Sequence, residues 1–140
     1  VADMGKSLGS NITVTTQNLD VKAHYAYLQE GGSFDVARAG WSADYADPEN
    51  FLNLMVSSNK AFNYGHWENA KYDELMKASY DEADPAKRMK ILAEAEALML
   101  ADHPIAPMMN YASLWLINKK VKGFEQNLVN EHLTKYLSIE

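Results

Sequence analysis

The chain has 140 residues, 47% of them hydrophobic, and carries 13 Lys and Arg against 19 Asp and Glu for a net charge of −6. That length suits about one domain, and that apolar share builds a folded core, so intrinsic disorder is excluded. Basic residues are scattered without a cluster, which argues against a nucleic-acid surface, and the lack of cysteine excludes disulfides, thiolate metal sites and cysteine nucleophiles.

Residues 1–8, VADMGKSL, read as the tail of a helix with Gly9 as its C-cap. From Asn11 to Asn18, Ile12, Val14 and Thr16 alternate with Thr13, Thr15 and Gln17, the pattern of a half-buried strand. Asn11-Ile12-Thr13 also fits a glycosylation sequon, for which a chance match at a strand start is the better account. Asp20 is expected to cap a helix through Glu30, with Tyr25 and Leu28 on its inner face and Gly31-Gly32 ending it. That Gly-Gly-Ser lies after a helix and before a strand, the wrong order for a phosphate loop, and reads as a turn. Phe34 to Ala39 is the next apolar strand, which completes a βαβ unit with parallel strands.

Arg38 shares a strand face with Phe34 and Val36, and a fixed cation there needs a carboxylate partner or a wet cleft. Gly40 to Tyr45 then mixes aromatic and acidic groups, so the strand reads as running into a ligand site. On the residues alone, Trp41 fits a core aromatic and Arg38 an internal ion pair. Asp44 is balanced between a turn residue and a ligand contact. Asp47-Pro48-Glu49 is a helix start, with a capping carboxylate before a first-turn proline.

Pro48 to Met55 is expected as a short helix with Phe51 and Met55 paired at i,i+4, followed by a polar and aromatic loop over residues 56–67. Asn69 caps a helix whose Tyr72, Leu75, Met76 and Ser79 share one face. Asp84-Pro85 opens the longest helix, to about Asp102, with Ile91, Leu92, Ala95, Leu98 and Met99 as its stripe. The methionines read as core packing. Pro104 to Met109 and Ala112 to Ile117 read as short strands or extended segments, Asn118 to Lys120 as a turn, and Val121 to Phe124 as a further short strand. The tail over residues 128–140 reads as mostly irregular. The expected fold class is α/β, a βαβ unit to about Trp41 followed by a helical region with short strands from about Pro48.

The run DVARAGWSADYADPENFL, residues 35–52, resembles the peptide-binding proteins of bacterial oligopeptide ABC importers, the extracytoplasmic solute-binding proteins of family 5. The resemblance implies the C-terminal portion of a two-lobed periplasmic-binding-protein fold of class II, with the N-terminal part of the protein outside this chain. It implies that residues 1–45 belong to one lobe and end in the inter-lobe crossover, and that residues 46–140 belong to the other. It implies that Asp44 binds the peptide α-amino group and that Arg38 helps receive the C-terminal carboxylate, partly through water. Gly40 and Ser42 then pair with the peptide through their backbones, and Trp41 walls a side-chain pocket. Ser42 stands where close relatives carry cysteine, a change of little consequence if the backbone does the binding. Tyr45 lines the cleft or simply packs, and Asp47 is expected to cap its helix.

The implied partners are a short peptide and the ABC permease, with no nucleic acid and no cofactor, outside the inner membrane. A lipid anchor would belong to the part that is not in this chain. No apolar run approaches the roughly 20 residues of a membrane helix, and nothing near Val1 reads as a signal peptide. Enzyme chemistry is the weaker reading. Asp44, Asp47 and Glu49 tempt a paired-carboxylate hydrolase, but Asp47 and Glu49 suit a helix start anyway. His24, His66, His103 and His132 lack metal-ligand spacing, and Ser10, Ser42 and Ser113 lack a nucleophile-elbow context. A receptor for cell-wall murein peptides, another non-peptide ligand of the family, and a ligand-free structural piece are the remaining alternatives.

Overall fold

The computed structural model describes residues 6, 7, 9, 12–127 and 129–140. They divide into two compact units, residues 1–35 and 36–140. Most of the expected N-terminal helix, the Asn11 sequon and Ser10 lie outside the described residues, although Lys6 and Ser7 are helical.

In the first unit the chain forms α1, Val21–Gln29. Asp20 caps it as expected, its carboxylate accepting from the Ala23 N–H at 3.0 Å, and Leu28 is buried. At the other end Gly32 N–H reaches the Tyr27 carbonyl and Gly31 N–H the Leu28 carbonyl. This double closure needs a left-handed residue at Gly31, whose φ is +77°, and only glycine adopts that without a Cβ penalty. The strands expected on either side of α1 are not formed. Residues 12–20 and 34–39 carry no ladder pairing, and Ile12, Val14 and Val36 are exposed. A two-stranded pair is at best marginal in water without further strands or a packed face.

The second unit opens with α2, Glu49–Leu52, and continues as a 3₁₀ turn, Asn53–Met55. Then come α3, Ala70–Asp81, and α4, Pro85–Asp102. Asn69 and Asp84 cap these two helices with their side-chain oxygens, and His103 closes α4 in the left-handed conformation at φ 58°. Antiparallel packing of α3 on α4 makes the core from Tyr72, Leu75 and Met76 against Leu92, Ala95 and Met99, with Leu52 and Met55 closing one end. These are the apolar stripes read from the sequence, and Ser79 on the same face is fully buried with its hydroxyl donating to the Met76 carbonyl. Tyr72 ties the layers together: its hydroxyl donates to the Leu52 carbonyl at 2.6 Å and its ring meets the edge of Trp67. Burial raises its phenol well above the ordinary range.

One pairing fails. Met55 is buried but Phe51 is 47% exposed. The helix tightens to 3₁₀ after Leu52, and the change from 3.6 towards 3.0 residues per turn rotates the two side chains out of one stripe.

Past α4, residues 104–117, read as short strands or extended segments, form no ladder, and Met108, Leu114 and Leu116 stand in solvent. The expected turn at Asn118 forms and leads into β1, Val121–Lys122. The tail is more ordered than its sequence suggests. A 3₁₀ turn, Thr134–Tyr136, leads to β2, Ser138–Ile139, which pairs antiparallel with β1 in the register Val121 to Ile139. Gly123 allows this closure, because a Cβ there would collide with the Tyr136 carbonyl. No described helix is long and apolar enough to cross a membrane.

Candidate functional site

The segment from Arg38 to Tyr45 belongs to the second unit and is held there by the start of α2. Its organiser is Asn50, 6% exposed on the first turn of that helix. The Asn50 Oδ1 accepts from the Trp41 indole N–H at 2.7 Å and from the Asp44 backbone N–H at 3.2 Å. Its Nδ2 donates to the Asp44 Oδ2 at 3.5 Å. One carboxamide therefore fixes the ring of Trp41, the backbone of Asp44 and the direction of the Asp44 carboxylate. Trp41 is half-buried and also meets Phe62 edge to face at 4.9 Å.

The three neighbouring carboxylates have different surroundings. Asp47 accepts from Arg88 through both guanidinium nitrogens, at 2.6 and 3.1 Å, and from the Glu49 N–H at 2.9 Å. It is therefore both a helix cap, as expected, and half of a fork-to-fork ion pair. The Arg88 hydrogen bond holds the Asp47 carboxyl below its ordinary range, and the same bond raises Arg88. Glu49 is buried, and it accepts from the hydroxyls of Tyr45 and Tyr80. Burial first and Glu49 second push the Tyr80 phenol well up, whereas for Tyr45 the Glu49 hydrogen bond leads. Asp44, by contrast, is exposed, and its side-chain bond is to a neutral carboxamide. Of the three, it is the one whose surroundings leave a carboxylate open to an incoming cation.

Arg38 is exposed, and its Nη2 donates to the Tyr111 hydroxyl at 2.5 Å. Gly40 lies beside the same tyrosine, since a Cβ there would come 4.0 Å from its ring. Ser42 is exposed and Tyr45 is turned to Glu49. Trp41, Asp44 and Tyr45 are thus gathered on α2, while Arg38 and Gly40 face the segment after α4. Asn50 is the site residue that sequence reasoning missed, because a polar residue in the first turn of a short helix gives no signal of a partner in the preceding loop.

One concavity is lined by Phe124, Asn127, His132 and Tyr136, and another by Tyr111, the partner of Arg38, with Trp115 and Asn130; neither includes Asp44. Among the described residues no group of three or more His, Asp or Glu side chains is placed to hold a metal ion.

No family model matches the chain. It is similar to the periplasmic oligopeptide-binding protein OppA of Haemophilus influenzae, 35% identical over 122 residues that make up 87% of this chain and 22% of that protein. The oligopeptide-binding protein OppA of Bacillus subtilis is 30% identical over 118 residues, 84% of this chain and 21% of its own. The periplasmic murein peptide-binding protein MppA of Escherichia coli is 33% identical over 122 residues, 87% of this chain and 22% of its own. The chain thus spans about a fifth of the length of these relatives.

Proposed function

Since the chain belongs to the bacterial extracytoplasmic oligopeptide-binding proteins, we propose that it is the C-terminal portion of the substrate-binding component of an oligopeptide ABC importer. In this reading the whole protein captures short peptides in a cleft between two lobes, outside the inner membrane, and delivers them to a permease. Residues 1–45 contribute to one lobe and end in the crossover, whose last stretch from Val36 packs with the second unit, and residues 46–140 contribute to the other.

The observation that carries the reading is the exposed Asp44 carboxylate, fixed by Asn50 beside the half-buried Trp41. A carboxylate in that setting suits an α-ammonium, through a charge-assisted bond that ignores the peptide's side chains. Gly40 and Ser42 offer backbone groups for strand-like pairing with the peptide, and Trp41 offers an apolar wall. Tyr45 borders the cleft while its hydroxyl is engaged by Glu49. Arg38 receives the peptide's C-terminal carboxylate, with Tyr111 steering its guanidinium. Binding without turnover is the expected chemistry, because Asp47 and Glu49, the carboxylates next to Asp44 along the chain, are already engaged by Arg88 and by two phenols.

The test is mass spectrometry of small molecules released by denaturing the freshly purified full-length protein. A ladder of short peptides of mixed sequence is expected, and an empty cleft or a product of hydrolysis would count against the reading. In that protein Asp44→Asn is expected to weaken peptide binding by about two orders of magnitude in calorimetry, the order of cost of truncating one partner of a desolvated charge pair. Unchanged affinity would remove Asp44 from the site. A dedicated receptor for murein peptides is the second reading, favoured by the similarity to the murein peptide-binding relative. A single released species, and competition in which a murein tripeptide outranks ordinary tripeptides, would select it.

A further inference from the structure

Asn50 is a buried polar side chain in the first turn of α2, and it makes three bonds, all to the loop that carries Asp44. Burying a carboxamide is costly unless its donors and acceptors are used. Here they are used on one loop, from one rigid point.

We propose that Asn50 is the positioning residue of the site: it sets the Asp44 carboxylate and the Trp41 ring in the geometry that selects ligands with a free α-ammonium. This rests on the reading of Asp44 as the carboxylate that meets the ammonium. The geometry gives each bond a separate task. The Oδ1 holds the Asp44 backbone and the indole together, so the loop cannot swing the carboxylate away from the aromatic wall. The Nδ2 takes one carboxylate oxygen, which leaves the other for the ligand. Preorganisation of this kind raises affinity by removing an ordering cost from the binding step.

The experiment uses the full-length protein and one tripeptide in two forms, free and N-acetylated. The readout is the ratio of their affinities by calorimetry. Wild type is expected to prefer the free form. Asn50→Ala is expected to cut that preference about tenfold, a loss on the scale of one charge-assisted hydrogen bond. Asn50→Leu, which keeps the volume and removes every bond, guards against a collapsed cavity and should behave alike. Asn63→Ala removes another buried asparagine, one whose side chain bonds to the Trp67 backbone, and should lower thermal stability while leaving the ratio unchanged. If Asn50→Ala and Asn50→Leu weaken both peptides equally or leave the ratio intact, while Asp44→Asn abolishes it, Asn50 is structural and the proposal is overturned. If Asp44→Asn itself leaves the ratio intact, the reading of Asp44 has failed first and takes the proposal with it.

Discussion

Asp47 and Arg88 join the start of α2 to α4 through two hydrogen bonds, and Arg88 also donates to the Ser79 carbonyl at the end of α3. The pair is more than two-thirds buried on each side, 24% and 29% exposed, so it is screened less than a surface pair. Its pH dependence follows from the lowered Asp47 carboxyl. A folded-state value below the unfolded one of about 4 gives stability that is fully present above pH ~4 and is lost as pH falls through the folded value. Asp47→Asn keeps the cap to the Glu49 N–H and removes the charge. It should cost about 1–2 kcal/mol at neutral pH in denaturant unfolding, and the gap from wild type should narrow as pH falls through the lowered Asp47 value. A gap that stays constant on acidification would show that the charge contributes nothing.

At the scale of elements, the helices were legible because their ends are written in single residues. Asp20, Asn69 and Asp84 each precede an apolar 3.6-residue period, and each accepts the backbone N–H groups that a helix start leaves open. Asn69 does more than cap, since its Nδ2 donates to Asp102 at 3.0 Å and so ties the start of α3 to the end of α4. Asn69→Ala should therefore cost about 1–2 kcal/mol, at the upper end for a cap, and Asn69→Asp, which keeps the cap but sets a second carboxylate against Asp102, should recover only part of it. Thermal unfolding of the two variants measures this directly. The strands were not legible in the same way. Alternation at residues 12–18 and 34–39 states which face would be buried, but a strand exists only with a partner, and a sequence segment does not carry its partner. β2 was missed for the converse reason: two residues, Ser138 and Ile139, have no period at all, and only their pairing with β1 defines them. Asn50 belongs with them, as its role arises from a contact across the loop.

At the scale of the whole molecule, the apolar residues divide sharply. The inner stripes of α3 and α4, Tyr72, Leu75 and Met76 with Leu92, Ala95 and Met99, are covered, whereas Met108, Met109, Tyr111, Leu114 and Leu116 are 71% exposed or more. A contiguous apolar stretch of this kind marks an interface. With the chain spanning about a fifth of its relatives' length, the expected cover is the rest of the protein. Leu116→Lys should then lower the melting temperature of the full-length protein by several degrees, by leaving a charge in a covered face. In the isolated chain the same change should reduce self-association in sedimentation. An unchanged melting temperature in the full-length protein would mean that this face stays in water.

The setting of Trp41 makes the molecule its own optical gauge. Of this chain's three tryptophans, Trp67 is held against Tyr72 and Asp102, while Trp115, 45% exposed, lies against Phe124 and His132. Only Trp41 has its indole N–H on the carboxamide that also orients Asp44. Water leaving its half-exposed face, or a cation arriving beside it, should shift its emission. A Trp41→Phe protein should still emit and yet lose that part of the response to added peptide.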